Sequence, residues 1–403
     1  MKPEARRAWL PGLLLGLLPL VLLGGLVALI LRTGLADAVR GEAPPIEALS
    51  FQRVELTPGG LVVEVLNDGP DPVRIAQVQV DEAYWAFTLD PPGALGRLGR
   101  ARIDIPYPWV KDEAHLIRLV SSTGLTFDRQ IPVAVATPRP GWRFFWLFAL
   151  IGLYVGVIPV TLGLLWYPLV GRLGPRALGF LLALTVGLLL FLLVDAAHEG
   201  LEAVEKMPAA FQGLALFVFG AFAAYLGIEA FGGWLAKRRA GAGAVSAGWA
   251  GSAGWATALL VAIGIGLHNL GEGLAIGAAL GLGEVALGRL LILGFTLHNT
   301  TEGLAIVAPI ARTPVSLGRL LVLGLIGSLP TIAGAWLGGF VYSPTLSVLF
   351  LALGAGAIAQ VIVQIAKGMA AGRPLADALR SGPVMAGLLA GFALMYTTGM
   401  LVQ

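Results

Sequence analysis

The sequence predicts an all-α polytopic membrane bundle, one further N-terminal transmembrane helix, and a small extracytoplasmic β-sandwich between them. Three observations lead there. The 403 residues are 57% apolar and only 13% charged, with mean hydropathy +0.83, more apolar surface than a soluble domain of this size covers. Nine stretches are apolar for long enough to cross a bilayer. A polar segment of about 100 residues interrupts them after the first, and its apolar residues alternate in strand fashion.

In chain order, the spans are Leu10–Leu31, Trp142–Val170, Ala177–Ala197, Phe211–Leu235, Trp255–Leu280, Ala286–Ala311, Leu317–Val341, Leu346–Ile365 and Val384–Val402. The domain plan is 1–36 as N-terminal anchor, 37–140 as sandwich and 141–403 as an eight-helix domain. The first span, about 22 residues long, suits an anchor better than a signal peptide, although Ala36-Asp37-Ala38 offers a cleavage site. In the polar segment, Leu61-Val62-Val63-Glu64-Val65 and Val73 to Val80 alternate, and Asn67-Asp68-Gly69-Pro70 and Asp90-Pro91-Pro92-Gly93 mark turns. About seven short strands at that spacing read as an antiparallel sandwich. The 56 glycines fit helices that pack closely in lipid. With no cysteine, thiolate metal sites and disulfides are excluded, leaving nitrogen and oxygen ligands.

Basic residues set the expected orientation. Lys2, Arg6 and Arg7 precede the first span. Alternate loops carry Arg172 and Arg176; Lys237, Arg238 and Arg239; Arg312 and Arg319; and Lys367, Arg373 and Arg380. The opposite loops hold Glu199, Glu202 and Glu205 with Lys206, or Glu284 with Arg289. The expectation is a multi-pass protein of the cell (inner) membrane, N-terminus cytoplasmic, sandwich and C-terminus outside.

The chemistry is concentrated in a phrase that occurs twice, thirty residues apart: Leu267-His268-Asn269-Leu270-Gly271-Glu272-Gly273 and Leu297-His298-Asn299-Thr300-Thr301-Glu302-Gly303. Both copies fall near the middle of a span, where a charged side chain costs roughly 2.5–3.5 kcal/mol on insertion scales. On a helix, i and i+4 share a face, so His268 aligns with Glu272 and His298 with Glu302. Two imidazoles and two carboxylates suit a borderline divalent cation. Asn269 and Asn299 lie about 100° further round, within reach of the same glutamates, so the spacing permits two adjacent ion positions. The two spans run in opposite directions, implying a twofold axis in the membrane plane and inverted repeats.

Other polar groups carry less. Asp195, His198, Glu199 and Glu202 recur at helical spacing and are expected to line one face as a cation entrance. Glu229 is expected to pair with Lys237 or Arg238, and Gln360 and Gln364 to join helices. His115, with Asp112 and Glu113, reads as surface. The sandwich is assigned no catalytic role.

These residues resemble the ZIP (Zrt/Irt-like) divalent-metal transporters over about Trp142 to Gln403. That family has eight spans with both termini outside. Its fourth and fifth helices carry His-Asn-x-Pro-Glu-Gly and a related Gln/His-Asn/Asp-x-Pro-Glu-Gly. The resemblance implies a ZIP-like eight-helix core, metal at His268, Glu272, His298 and Glu302, and Asn269 and Asn299 helping to form a second site. It also likens Asp195 to Glu202 to the family's acidic helix end. The chain departs from the pattern in four ways. Gly271 and Thr301 replace the motif proline. Gly327-Ser328-Leu329-Pro330-Thr331 lacks the acid that completes the family's second site, so a mononuclear or asymmetric centre is expected. The loop after the fourth span has no His-rich tract. The first span and the sandwich are additions.

The function expected is therefore transport, not catalysis: divalent cations, zinc first and iron, manganese, cobalt, nickel or cadmium as alternatives, moved toward the cytoplasm as substrate, with no cofactor. An intramembrane metal-dependent hydrolase with Glu272 or Glu302 as base is the alternative, and a metal sensor acting through the sandwich is a third. The expected partners are divalent metal ions and the lipid bilayer, with a homodimer left open and no nucleic acid.

Overall fold

Backbone N–H and C=O groups in lipid have no water to bond, so a long apolar stretch closes its own hydrogen bonds as helix. The computed structural model follows that rule; it describes residues 3–33, 44–137, 139, 141–205, 207–241, 253–281, 285–311, 313–341, 343–370 and 374–402. Contacts divide the chain into two units, Met1–Ile46 and Glu47–Gln403.

Among the described residues the first unit contains one helix, α1 (Pro3–Thr33). Its side chains from Leu17 to Ile30 are exposed. The cleavage-like Ala36-Asp37-Ala38 lies outside the described residues, as do Lys2, Lys206, Glu284, Arg312 and Arg373 of the charge pattern.

The second unit begins with eight strands, one more than expected: β1 (Leu49–Thr57), β2 (Gly60–Asn67), β3 (Ile75–Val80), β4 (Ala83–Trp85), β5 (Thr88–Asp90), β6 (Arg100–Ile105), β7 (His115–Ser121) and β8 (Thr126–Ile131). They form two antiparallel four-stranded sheets, β1-β2-β6-β5 and β4-β3-β7-β8. Alternation explains the packing: along β7 every second residue is buried, and Val63, Val65, Ile103, Ile117 and Leu119 fill the space between the sheets. The shortest strands are the three-residue β4 and β5, too short for alternation to show. The predicted turn after β2 is built by Asn67, whose Oδ1 accepts from Gly69 N at 2.9 Å while its Nδ2 donates to Asp71 O and Leu95 O, both at 2.7 Å.

Eight long helices follow among the described residues: α2 (Trp142–Val170), α3 (Pro175–Glu205), α4 (Gly213–Gly241), α5 (Ala253–Gly281), α6 (Val285–Val307), α7 (Leu317–Val341), α8 (Pro344–Ala370) and α9 (Gly382–Val402). Among the described residues seven stretches, in α2 to α8, are long and apolar enough to cross a membrane, and α1 and α9 contain shorter apolar stretches. The chain is a multi-pass membrane protein. α3 continues through Glu205, so the acidic cluster belongs to the helix body. α2 is irregular: a π-turn spans Leu153–Val157, and Pro159 follows directly.

The helix pairing positions the site. α5 packs along α7, and α6 along α2; α3 packs on α9, and α4 on α8; α3 and α5 both touch α8. The closing glycine of each motif copy explains two of these contacts. A Cβ on Gly273 would meet Thr331 O and lie 2.9 Å from Ala335 N of α7. One on Gly303 would meet Val160 O and lie 2.7 Å from Gly163 Cα of α2. Only a residue without Cβ lets these backbones approach. The sandwich joins the helices through Asp68, whose carboxylate accepts from Ala209 N at 2.6 Å and Ala210 N at 2.8 Å in the connection between α3 and α4.

Candidate metal centre

Helical phase carries each motif copy into the bundle interior. His268, Asn269, Glu272, His298, Asn299 and Glu302 are all at most 8% exposed. The helix faces meet so that one ligand atom from each of His268, Glu272, His298 and Glu302 falls within 4.8 Å of the others. The two halves interlock. His298 Nε2 bonds Glu272 Oε1 of the opposite helix. His268 Nε2 lies 3.2 Å from the same oxygen, within ion-pair reach but without hydrogen-bond alignment.

The asparagines stand beside this quartet. Asn269 Nδ2 donates to Glu302 Oε2 and to Gly327 O, both at 2.9 Å. Asn299 Nδ2 donates to Glu272 Oε2 and to Val155 O, both at 3.0 Å. Several buried polar atoms find no hydrogen-bond partner among the described residues: His268 Nε2, Glu302 Oε1, Asn269 Oδ1 and Asn299 Oδ1, with Ser328 Oγ and Thr331 Oγ1 on α7. An unpaired buried acceptor costs about 1–3 kcal/mol. Nitrogen and carboxylate donors gathered within one cation's reach, with spare lone pairs, fit a bound divalent ion.

The acidic entrance divides. Asp195 and Glu199 are half-buried, and Glu199 feels the charges of His268, Glu272 and His298. His198 and Glu202 are exposed and pair with each other at 3.3 Å. The four thus differ in exposure, and Glu199 is the one that feels the quartet's charges. Glu229 pairs with Lys367 at 3.2 Å and accepts from Gln360 Nε2 at 3.0 Å, not with Lys237 or Arg238. Lys367 follows Gln360 by two turns on α8, which packs along α4 and so presents the nearer cation. Gln360 thus joins helices as expected; Gln364 is half-buried.

His115 is a correction too. It is buried, and its Nδ1 lies 2.7 Å from Asp81 Oδ2, with the Tyr107 hydroxyl bonded to the same oxygen at 2.6 Å. It opens β7 on an inward-facing register position, which outweighs the polarity of its neighbours Asp112 and Glu113.

Sequence reasoning missed Val155 and Gly327, whose carbonyls hold the asparagines. For Val155 the available signal was Pro159, since a proline inside a span leaves the carbonyl four residues earlier without its amide; Pro330 frees Ile326 O instead, so Gly327 carried no such signal. No family model and no curated protein matches this chain.

Proposed function

We propose that this protein transports divalent metal cations, zinc first among them, through the centre made by His268, Glu272, His298 and Glu302, as a divergent ZIP-like transporter. The observation that carries the reading is the convergence of four buried ligand atoms from two helices within 4.8 Å, with lone pairs left over. The helix pairing supports inverted repeats. Exchanging α2, α3 and α4 for α7, α8 and α9, and α5 for α6, carries the main pairings onto one another. A midplane site on such an axis suits alternating access. A hydrolase needs one general base and an open coordination position and has no use for the duplication.

Under this reading the N-terminus is cytoplasmic, the sandwich lies outside, and Asp195 and Glu199 lead cations toward the centre. Uptake into proteoliposomes across a panel of divalent ions tests it. Zinc or cadmium flux above that of empty vesicles is expected, with loss in Glu302→Gln. Tight binding without flux would point to a sensor and sink the transport reading.

A further inference from the structure

The two asparagines make the same bonds in both halves of the centre. Each spends Nδ2 on the opposite helix's glutamate and on a main-chain carbonyl of an outer helix, Gly327 O for Asn269 and Val155 O for Asn299. An amide has two N–H donors and one carbonyl oxygen. All four partners are oxygens without a proton of their own to give, so half a turn of either amide would set oxygen against oxygen twice. The network itself fixes which atom faces the carboxylate.

The chain prepares one of the two acceptors directly. Pro159 has no N–H to offer Val155 O four residues earlier, and the π-turn Leu153–Val157 lies across that carbonyl. On α7, Pro330 does the same to Ile326 O, next to Gly327. α2 is thus irregular where it meets Asn299, whereas α7 stays helical and carries Pro330 three residues after Gly327.

We propose that Asn269 and Asn299 are positioning residues: through Nδ2 they suspend Glu302 and Glu272 from α7 and α2, and neither gives its oxygen to the cation. The inference rests on the reading of the His/Glu quartet as the transport site. It leaves one ion position instead of the two that the motif spacing permits. The competing argument is that Asn269 Oδ1 and Asn299 Oδ1 are themselves buried and unpartnered, as ligand atoms would be before an ion arrives.

Exchange for aspartate separates the two, because it keeps an oxygen and removes Nδ2. Calorimetric titration of the full-length purified protein with cadmium or zinc measures affinity and stoichiometry. Wild type should bind one ion. Asn299→Asp should bind about 10–100-fold more weakly, the usual cost of losing an orienting partner, with stoichiometry unchanged. A ligand would do the opposite: tighter binding or a second ion in Asn299→Asp overturns the proposal. The action is also helix-specific. Asn299→Asp should be non-additive with Glu272→Asp and additive with Glu302→Asp; equal behaviour toward both glutamates would mean a merely structural role and overturn it. Should Asn299→Asp fail to fold, Pro159→Ala decides. It returns an N–H opposite Val155 O, touches no polar side chain, and should still weaken binding; unchanged affinity overturns the proposal. A wild type that binds no ion removes the transport-site reading and this inference with it, whereas a one-ion wild type with a tighter Asn299→Asp removes only this inference.

Discussion

The molecule buries histidine against carboxylate in two places, and the two differ in how completely the carboxylate is satisfied. In the sandwich, Asp81 receives the Tyr107 hydroxyl, His115 Nδ1 and the Leu116 N–H. Burial raises its carboxyl, but those bonds outweigh it and hold Asp81 below its ordinary value. Burial, with Asp81's carboxylate, in turn pushes Tyr107 up to about 12. Among the helices, two glutamates share two histidines and two asparagines, and Glu302 Oε1 is left without a bond; an unpaired imidazole nitrogen occurs in both places, at His115 Nε2 and His268 Nε2. A carboxylate surrounded by donors holds a fold together. Lone pairs left over at the cost of folding await something else.

The largest expected effect comes from taking charge from the helical centre. Glu302→Gln should weaken zinc or cadmium binding by about a hundredfold or more, beyond the usual outer-shell range, while leaving the melting of the sandwich alone. Calorimetry and circular dichroism on the same sample read both; intact affinity would erase the distinction between the two sites. His298→Gln should cost less, since an amide oxygen still coordinates.

Acid gives the next largest effect. A metal-binding imidazole must be neutral and a carboxylate ionised, so affinity should fall as pH drops from about 7 to about 5, the range in which histidine titrates. His298→Gln, lacking one titrating group, should show a shallower slope. An unchanged slope would mean that His298 is no ligand.

Asp81→Asn tests the other side. It should destabilise the sandwich by about 1–2 kcal/mol, the lower part of the range for a charged hydrogen bond because Asp81 is partly exposed, and leave metal affinity unchanged. The pH dependence has a definite sign. A depressed carboxyl contributes stability above its unfolded value near 3.8 that is lost as pH falls through the lower folded value. Tyr107, raised, contributes below 10.0 and loses its contribution as pH climbs to about 12. Denaturant melts at pH 3, 7 and 11 measure both; a sandwich more stable at pH 3 than at pH 7 would contradict the assignment.

The smallest effect separates the halves of the acidic cluster. Asp195→Asn with Glu199→Gln should slow metal entry a few-fold, roughly the low end of electrostatic steering, and less so at high salt. His198→Ala with Glu202→Ala should do little. Equal effects from both pairs would make all four residues one entrance.

Much of this was legible in the sequence. A run of twenty apolar residues has one solution in lipid, so the spans in α2 to α8, seven of the nine expected, were readable from composition, and the repeated His-Asn-x-x-Glu-Gly marked the centre because polar groups at that depth have no cheap explanation. Strand alternation betrayed the sandwich but not its two shortest strands, and it did not reveal that His115 points inward, because the neighbouring acids dominated the local pattern. What only the tertiary structure decided are the partners between segments far apart in the chain. Asn299 reaches Val155 across 144 residues and Asn269 reaches Gly327 across 58, Glu229 finds Lys367, and Glu199 comes within the field of the His/Glu quartet. Local sequence sets a helix and the angle at which each side chain leaves it. Which neighbouring helix meets that side chain, and at what height, depends on how whole helices pack, and no short stretch of sequence encodes that.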